Sequence, residues 1–242
     1  MSVQPSPLIT VATVVRNGAS TIEETVRSVA AQRSSNFEYI VIDGLSSDGT
    51  PDILSRYRDH IQCCISERDH GIYDAMNKAC AQARGKYLLF LGADDKLHCP
   101  ETLARLGSQL LDPDAIYYGD VRLASSGHRY CGQMHTYKLM QQNICHQSIL
   151  YPRVIYKNKC YDTSAGLLAD YKYNIELWGQ GQRFNHIDLI ISDFNDLGAS
   201  SRPDSKFEAM RLPLIREHLG EFWYGIKLLR NQLVQLKNWG HQ

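Results

Sequence analysis

Three acidic groups in this chain follow short apolar runs: Asp43 after residues 37–42, Glu67 and Asp69 after residues 63–66, and the adjacent pair Asp94-Asp95 after residues 86–91. Carboxylates gathered on one rim repel each other, and they persist when a cation or hydrogen-bond donors compensate them. An apolar run leading directly into Asp94-Asp95 suits a hard divalent ion, Mg²⁺ or Mn²⁺, held by oxygen. Such an ion keeps positions open for diphosphate oxygens and neutralises the charge that develops as a diphosphate departs. Each residue also has a plain structural reading. An Asp after a strand commonly closes a turn or caps a helix, and Lys96 stands beside the pair as a ready ion-pair partner.

The acidic groups meet only if the runs before them are neighbouring parallel strands, and the pattern predicts this. Residues 8–15 read as a buried strand, short, apolar and β-branched. Ser20 with Glu23 forms a capping-box pattern that opens a helix carrying Ile22, Val26 and Val29 on one face. A strand at 37–42 follows, then a helix from Thr50-Pro51 to about residue 61, with Thr50 as its N-cap. Next come a strand at 63–66, a helix at 71–83, a strand at 86–91, a helix at 100–111 and a strand at 115–119. Strand and helix in alternation argue for βαβ units, and ligands of open parallel sheets bind outside the strands' carboxyl ends. The second half is less regular, with a hairpin at 121–130, a strand at 148–151, a helix at 169–178 and a strand at 184–194. From about Asp204 the chain reads as helical, interrupted at Pro213 and Gly220.

Composition narrows the classes. A chain of 242 residues is long enough for one α/β core, and 26 basic against 26 acidic residues leave no bulk field to steer nucleic acid. The seven cysteines contain no CxxC pair, so the expectation is reduced thiols used in packing, with no zinc site. The opening residues lack a basic segment followed by an apolar stretch, and no apolar run approaches bilayer length. The expected location is the cytoplasm. No GxGxxG follows a strand, which argues against a dinucleotide oxidoreductase.

The stretch VRNGASTIEETVRSVAAQ, then FEYIVIDGLSSDGT, then SERDHGIYDAMNKACAQARGKYLLFLGADD, resembles the inverting glycosyltransferase family 2 of bacterial polysaccharide assembly. The match covers about residues 8–120, and HQSILYPR with LLADYKYNIEL extends it to about residue 200. The resemblance implies an α/β fold of GT-A type: a nucleotide-binding sheet, mostly parallel with flanking helices, merging with an acceptor-binding half over residues 1–203. A helical extension over 204–242 follows. The implied activity is metal-dependent transfer of a sugar, with inversion, from a nucleotide-sugar donor to a glycan or lipid-linked acceptor. UDP is the first expectation for the nucleotide because it is common in the family.

Carried over position by position, the resemblance assigns Asp43 to the nucleobase, where a carboxylate accepts a base N–H. Thr13, Val15 and Arg16 fall where the first strand meets the nucleotide, and Thr13 has plain strand packing as its alternative. Asp95 is the expected ligand of Mn²⁺ or Mg²⁺, Asp94 contacts ribose or donor, and Asp69 contacts donor sugar or nucleotide. His146 and Gln147 match a His-Gln pair that bonds donor phosphate or acceptor. Inverting transfer also needs a base to take the acceptor hydroxyl's proton, and Asp170 holds that position. Many family members carry Glu-Asp there, whereas this chain has Ala-Asp, and a carboxylate stabilised at a helix start is the alternative. Gly198-Ala199-Ser200-Ser201 resembles a degraded Gly-Gly-x-Ser loop closing over the diphosphate, with Arg202 supplying charge.

Phe222, Ile226, Leu229, Leu233 and Leu236 recur at helical spacing near the end of the chain. Three surfaces suit such a stripe: the body of the domain, a second subunit in a homodimer, or the inner membrane face as a peripheral contact. Two readings stand beside the lead one. A nucleotidyltransferase also uses strand-end carboxylates and Mg²⁺, but Arg16-Asn17-Gly18 is poor in the glycine and basic residues of a phosphate loop. A catalytically inactive nucleotide-binding homologue would keep the fold without the chemistry.

Overall fold

Residues Ile9–Val15 form strand β1, buried along nearly its whole length, which explains its unbroken run of β-branched and apolar residues. The computed structural model describes residues 6–198 and 204–239. Helix α1 (Ile22–Ala30), β2 (Phe37–Asp43), α2 (Thr50–Arg56), β3 (Cys63–Ser66), α3 (Ile72–Gln82) and β4 (Tyr87–Phe90) follow in alternation. Strand β1 pairs parallel with β2 and with β4, and β2 pairs parallel with β3, as expected for βαβ units. The register sets Val15, Asp43 and Ser66 side by side at the carboxyl ends.

Past β4 the pairing becomes mixed. The chain continues through β5 (Lys96–Leu97), α4 (Thr102–Gly107), β6 (Ile116–Leu123), β7 (Arg129–Tyr130), α5 (Thr136–Leu139) and β8 (Ile149–Pro152). After these come α6 (Arg153–Tyr156), α7 (Ala169–Gly179) and β9 (Phe184–Phe194). The sheet order is β3-β2-β1-β4-β8-β6-β9-β5, with β7 beside β6. Strand β8 is antiparallel to both β4 and β6, whereas β6 and β9 are parallel. The parallel character therefore belongs to β1–β4, and the second half is mixed. Irregular register between β6 and β9 centres on Gly119, where a Cβ would lie 2.5 Å from the Leu189 carbonyl oxygen. Only glycine permits so close a backbone approach.

Apolar side chains fill both faces of the sheet. Ile22, Val26 and Val29 of α1 are fully buried on one face with Val11 and Tyr39, each contributing roughly 1.5–3 kcal/mol of transfer free energy. The other face buries Tyr73, Met76 and Ala79 of α3 against Ala12 and Phe90. Gly85 closes the turn into β4; its N–H donates to the Thr10 hydroxyl, which itself donates 2.6 Å to the buried Glu38.

Local signals differ from expectation in a few places. Thr21 is the N-cap of α1 and makes no side-chain cap bond, so the Ser20/Glu23 capping box does not form. Glu23 bonds Arg27, Arg56 and Tyr57 instead, gaining more partners across α1 and α2 than a cap offers. Gly49 is the N-cap of α2, because the Thr50 hydroxyl accepts the Gly18 N–H. That helix stops at Arg56 and a separate short turn follows at Arg58–His60. Helix α4 is shorter than the predicted 100–111. The two-residue β5 carried no sequence signal; it exists through pairing with β9.

Helices α8 (Ser205–Leu219) and α9 (Glu221–Trp239) close the described chain. Asp204 caps α8 by accepting the Lys206 and Phe207 N–H groups. Pro213 lies inside α8 without ending it, and the break falls at Gly220 with φ of 91°. Phe207 is fully buried and stacks on Tyr171, with ring centroids 4.8 Å apart. Phe222, Leu229 and Leu233 are exposed at 71%, 63% and 54%, so these three residues of the stripe do not pack on the domain, while Ile226 is half-buried. All seven cysteines are free thiols. Among the described residues, no helix is long and apolar enough to cross a membrane.

Candidate active site

The carboxyl ends of β1–β4 lead into a cleft with two adjoining lobes. One lobe, a cavity of about 180 Å³, is bordered by Val14, Gly92, Asp94, Asp95 and Asn195. The other, about 330 Å³, lies against Tyr73, Asn143, Tyr130, Leu167 and Asp170. Ile72, His146, Gln147 and Phe194 border both.

Asp95 is buried at the floor of the smaller lobe. Its Oδ1 accepts the Asn195 N–H at 2.8 Å and its Oδ2 accepts from the Gln147 amide at 2.9 Å. Burial pushes its carboxyl up to about 6, helped by the neighbouring Asp94 charge and opposed by the Asn195 N–H. Asp94 is exposed at the mouth of this lobe and accepts 3.0 Å from the Asn195 side chain. Gly92 makes room for the pair: a Cβ there would lie 2.4 Å from Asp95 Oδ2. Among the described residues, no three His, Cys, Asp or Glu side chains gather closely enough to hold a metal alone. Two adjacent hard-oxygen donors, one of them open to solvent, fit a divalent ion that draws its other ligands from a bound diphosphate.

Asp170, on the first turn of α7, is 5% exposed and densely held. Its Oδ1 accepts from the Tyr73 hydroxyl and from the Tyr171 N–H, both at 2.9 Å, and its Oδ2 accepts from Asn143 at 2.8 Å. Burial and the Asp170 charge raise the Tyr73 hydroxyl well above its ordinary range, so it stays a donor. Asn143 is fixed in turn by Asn174, which donates 2.9 Å to its side-chain oxygen. His146 Nδ1 approaches Asp170 Oδ2 at 3.5 Å, with the imidazole 18% exposed. Burial alone would lower the His146 pKa, but its hydrogen bond to Asp170 and the charges of Asp170, Asp95 and Asp94 outweigh this and raise it.

The consecutive residues His146 and Gln147 thus face different carboxylates: His146 meets Asp170, and Gln147 meets Asp95. The dipeptide joins the two lobes.

The other expected residues are placed less uniformly. Asp43 sits on the same sheet edge but borders a separate cavity of about 240 Å³, its carboxylate bound by Ser46 and Ser66. Asp69 packs over Gly44, where a Cβ would lie 2.1 Å from Asp69 Oδ2 and 3.2 Å from the Arg16 Cβ. Arg16 is exposed at that rim. Thr13 and Val15 are buried on the opposite face of β1, where Thr13 accepts from Tyr39 at 3.0 Å. Strand alternation turns Val14, between them, toward the cleft. Arg202 and Ala199–Ser201 of the expected loop lie outside the described residues. Tyr73 belongs to the GIYDAMN segment and was within reach of the sequence motif. Asn143 and Asn195 carried no signal, since isolated asparagines in irregular segments have no pattern.

The fold and cleft define an α/β enzyme with strand-end carboxylates on one side and a buried, tightly held Asp on the other. A family model described as Glycosyl transferase family 2 matches residues 10–170. The chain is 33% identical over 221 residues to a PGL/p-HBAD biosynthesis glycosyltransferase of Mycobacterium bovis, covering 86% of this chain and 85% of that protein. It is also 41% identical over 93 residues to the putative teichuronic acid biosynthesis glycosyltransferase TuaG of Bacillus subtilis, covering 37% of each. Among solved structures, S. aureus TarS 1-349 in complex with UDP-GlcNAc superposes with a TM-score of 0.72 at 17% identity, over 88% of this chain and 68% of that one. The mannosyltransferase PcManGT of Pyrobaculum calidifontis, in complex with GDP-Man and Mn²⁺, gives 0.64 at 20% identity, over 93% and 65%. The chain belongs to glycosyltransferase family 2 and has the GT-A-like fold of these enzymes. Membership decides against the nucleotidyltransferase alternative.

Proposed function

We propose that the protein transfers a sugar, with inversion, from a nucleoside-diphosphate sugar to a hydroxyl of a glycan or lipid-linked saccharide. The donor occupies the Asp94–Asp95 lobe and the acceptor the Asp170 lobe. One observation carries this reading: His146 and Gln147 tie Asp170 and Asp95 into one continuous cleft. Solved relatives that hold UDP-GlcNAc, or GDP-Man with Mn²⁺, support a nucleotide-sugar donor, and a UDP-sugar is the first choice.

Asp170 takes the acceptor hydroxyl's proton as that oxygen bonds to the anomeric carbon and the bond to the diphosphate breaks. Tyr73 and Asn143 hold the carboxylate's two oxygens so that it faces the lobe. Asp94 and Asp95 would hold Mn²⁺ or Mg²⁺, Asp94 being the more accessible. When bound, the ion supplies positive charge to the departing diphosphate. Asp43, Asp69 and Arg16 line the rim where the nucleoside would extend, while Thr13 and Val15 are buried behind it. Arg202 remains proposed as a cation toward the diphosphate. The exposed apolar side of α9 fits a second copy of the chain or the inner membrane face, the expected site of lipid-linked acceptors.

The test is a nucleotide-sugar panel assayed for donor hydrolysis and transfer with Mg²⁺ and Mn²⁺. An α-linked donor should give a β-linked product. Asp170→Asn should abolish transfer while UDP still raises the melting temperature. Transfer that survives this substitution would remove Asp170 from its role, and a protein inert toward every donor would return the inactive-homologue reading.

A further inference from the structure

The two lobes of the cleft differ in chemistry. Around Asp170 the wall is largely Ile72, Leu123, Tyr130, Leu167, Leu168 and Phe194. Ile72 and Leu167 stand 45% and 42% exposed, so apolar surface is presented to whatever enters. Among the described residues, the few polar side chains there are already engaged. Asn143 is shared between Asp170 and Asn174, Gln147 is held by Asp95, and Asp196 accepts from the Ser125 N–H at 2.9 Å. A fully hydroxylated hexose entering this lobe would lose water from several hydroxyls and find few free partners. An apolar ring edge would gain from the same wall. At about 330 Å³ the lobe has room for a group of ring size.

We infer that the Asp170 lobe accepts a hydroxyl borne on a hydroxyl-poor ring, an aryl or deoxy-sugar ring, in preference to a fully hydroxylated hexose. This rests on the assignment of that lobe to the acceptor. Leu167 is the most direct reporter. Its side chain is exposed, whereas its backbone is committed elsewhere: the carbonyl accepts the Tyr73 hydroxyl and the N–H donates to Asp204.

Ligand-observed NMR titration of the full chain with methyl α-L-rhamnoside, methyl α-L-mannoside and p-cresol tests the inference. The two glycosides differ only by the C6 hydroxyl, and p-cresol represents the aryl source. At least one hydroxyl-poor probe should bind about fivefold or more tighter than the mannoside, the margin expected for one unpaired buried hydroxyl. Leu167→Asn should narrow that preference about twofold or more. A mannoside that binds as tightly as both other probes would overturn the inference, and so would a preference untouched by Leu167→Asn. Transfer itself is judged by donor hydrolysis and by Asp170→Asn, neither of which enters these titrations.

Discussion

Tyr73 and Asp170, separated by 97 residues, meet at 2.9 Å between a phenolic hydroxyl and a carboxylate, both buried. The first sits on α3, packed beneath the parallel half of the sheet, and the second opens α7 in the mixed half. Replacing Tyr73 by Phe keeps the ring contact with Tyr161 but removes the donor. Stability should fall by about 1 kcal/mol. Turnover should fall about tenfold or more because the carboxylate loses one point of alignment. Urea denaturation and steady-state kinetics check both; unchanged turnover would mean that Tyr73 does not position Asp170.

Asp94 is the accessible carboxylate of its pair, so its charge should report on the cation. Asp94→Asn should remove the extra stabilisation that Mn²⁺ gives to UDP binding, read as a melting-temperature difference with and without the ion. It should also lower kcat/KM by about 100-fold or more. An undiminished Mn²⁺ effect would shift the ion's ligand to Asp95 alone.

Arg211 on α8 donates to the carbonyl oxygens of Met140 and Gln141, at 2.8 and 3.0 Å, and contacts the Tyr171 hydroxyl at 3.2 Å. These bonds pin the segment that leads to Asn143. Arg211→Met keeps most of the packing volume but removes the donor to the Gln141 carbonyl and leaves the Met140 carbonyl to Lys227 alone, and should cost about 1–2 kcal/mol in stability. Chemical denaturation measures it. A loss below about 0.5 kcal/mol would show the segment to be held by other contacts.

Lys227 on α9 is buried and donates 3.1 Å to the Met140 carbonyl oxygen and 3.1 Å to Gln141 Oε1. Burial, with the positive charges of Arg211 and Arg230, lowers its pKa to about 8 from 10.5. Between these values the unfolded chain holds the proton more tightly than the folded one. This group therefore adds stability as pH rises through the window and withdraws it as pH falls back. Lys227→Met should flatten that part of the profile, seen as a smaller difference in unfolding free energy between about pH 7 and pH 10. Parallel profiles for both proteins would show that the lysine is not desolvated in solution.

Much of the parallel half was legible in the chain because its signals are local. An apolar run of residues 9–15, an amphipathic α1 and an acidic pair after β4 each occupy a few consecutive positions, and βαβ connection rules then order them. The same locality misled at Ser20 and Glu23, where Arg56 and Tyr57 from α2 competed successfully for the carboxylate. It also put forward Thr13 and Val15, whose side chains are buried, whereas strand alternation turns Val14 toward the cleft.

The residue types in order along the chain determined the family, the α/β class and which carboxylates stand at strand ends. Only the tertiary structure decided that Asp95 is bonded through both oxygens while Asp94 stays open, that Asp43 faces a different cavity, and that Tyr73 and Asn143 converge on Asp170. Periodicity and motifs report what neighbouring residues along the backbone do. Hydrogen bonds between side chains 27 and 97 positions apart depend on how the mixed half of the sheet packs against the parallel half, and no local pattern encodes that.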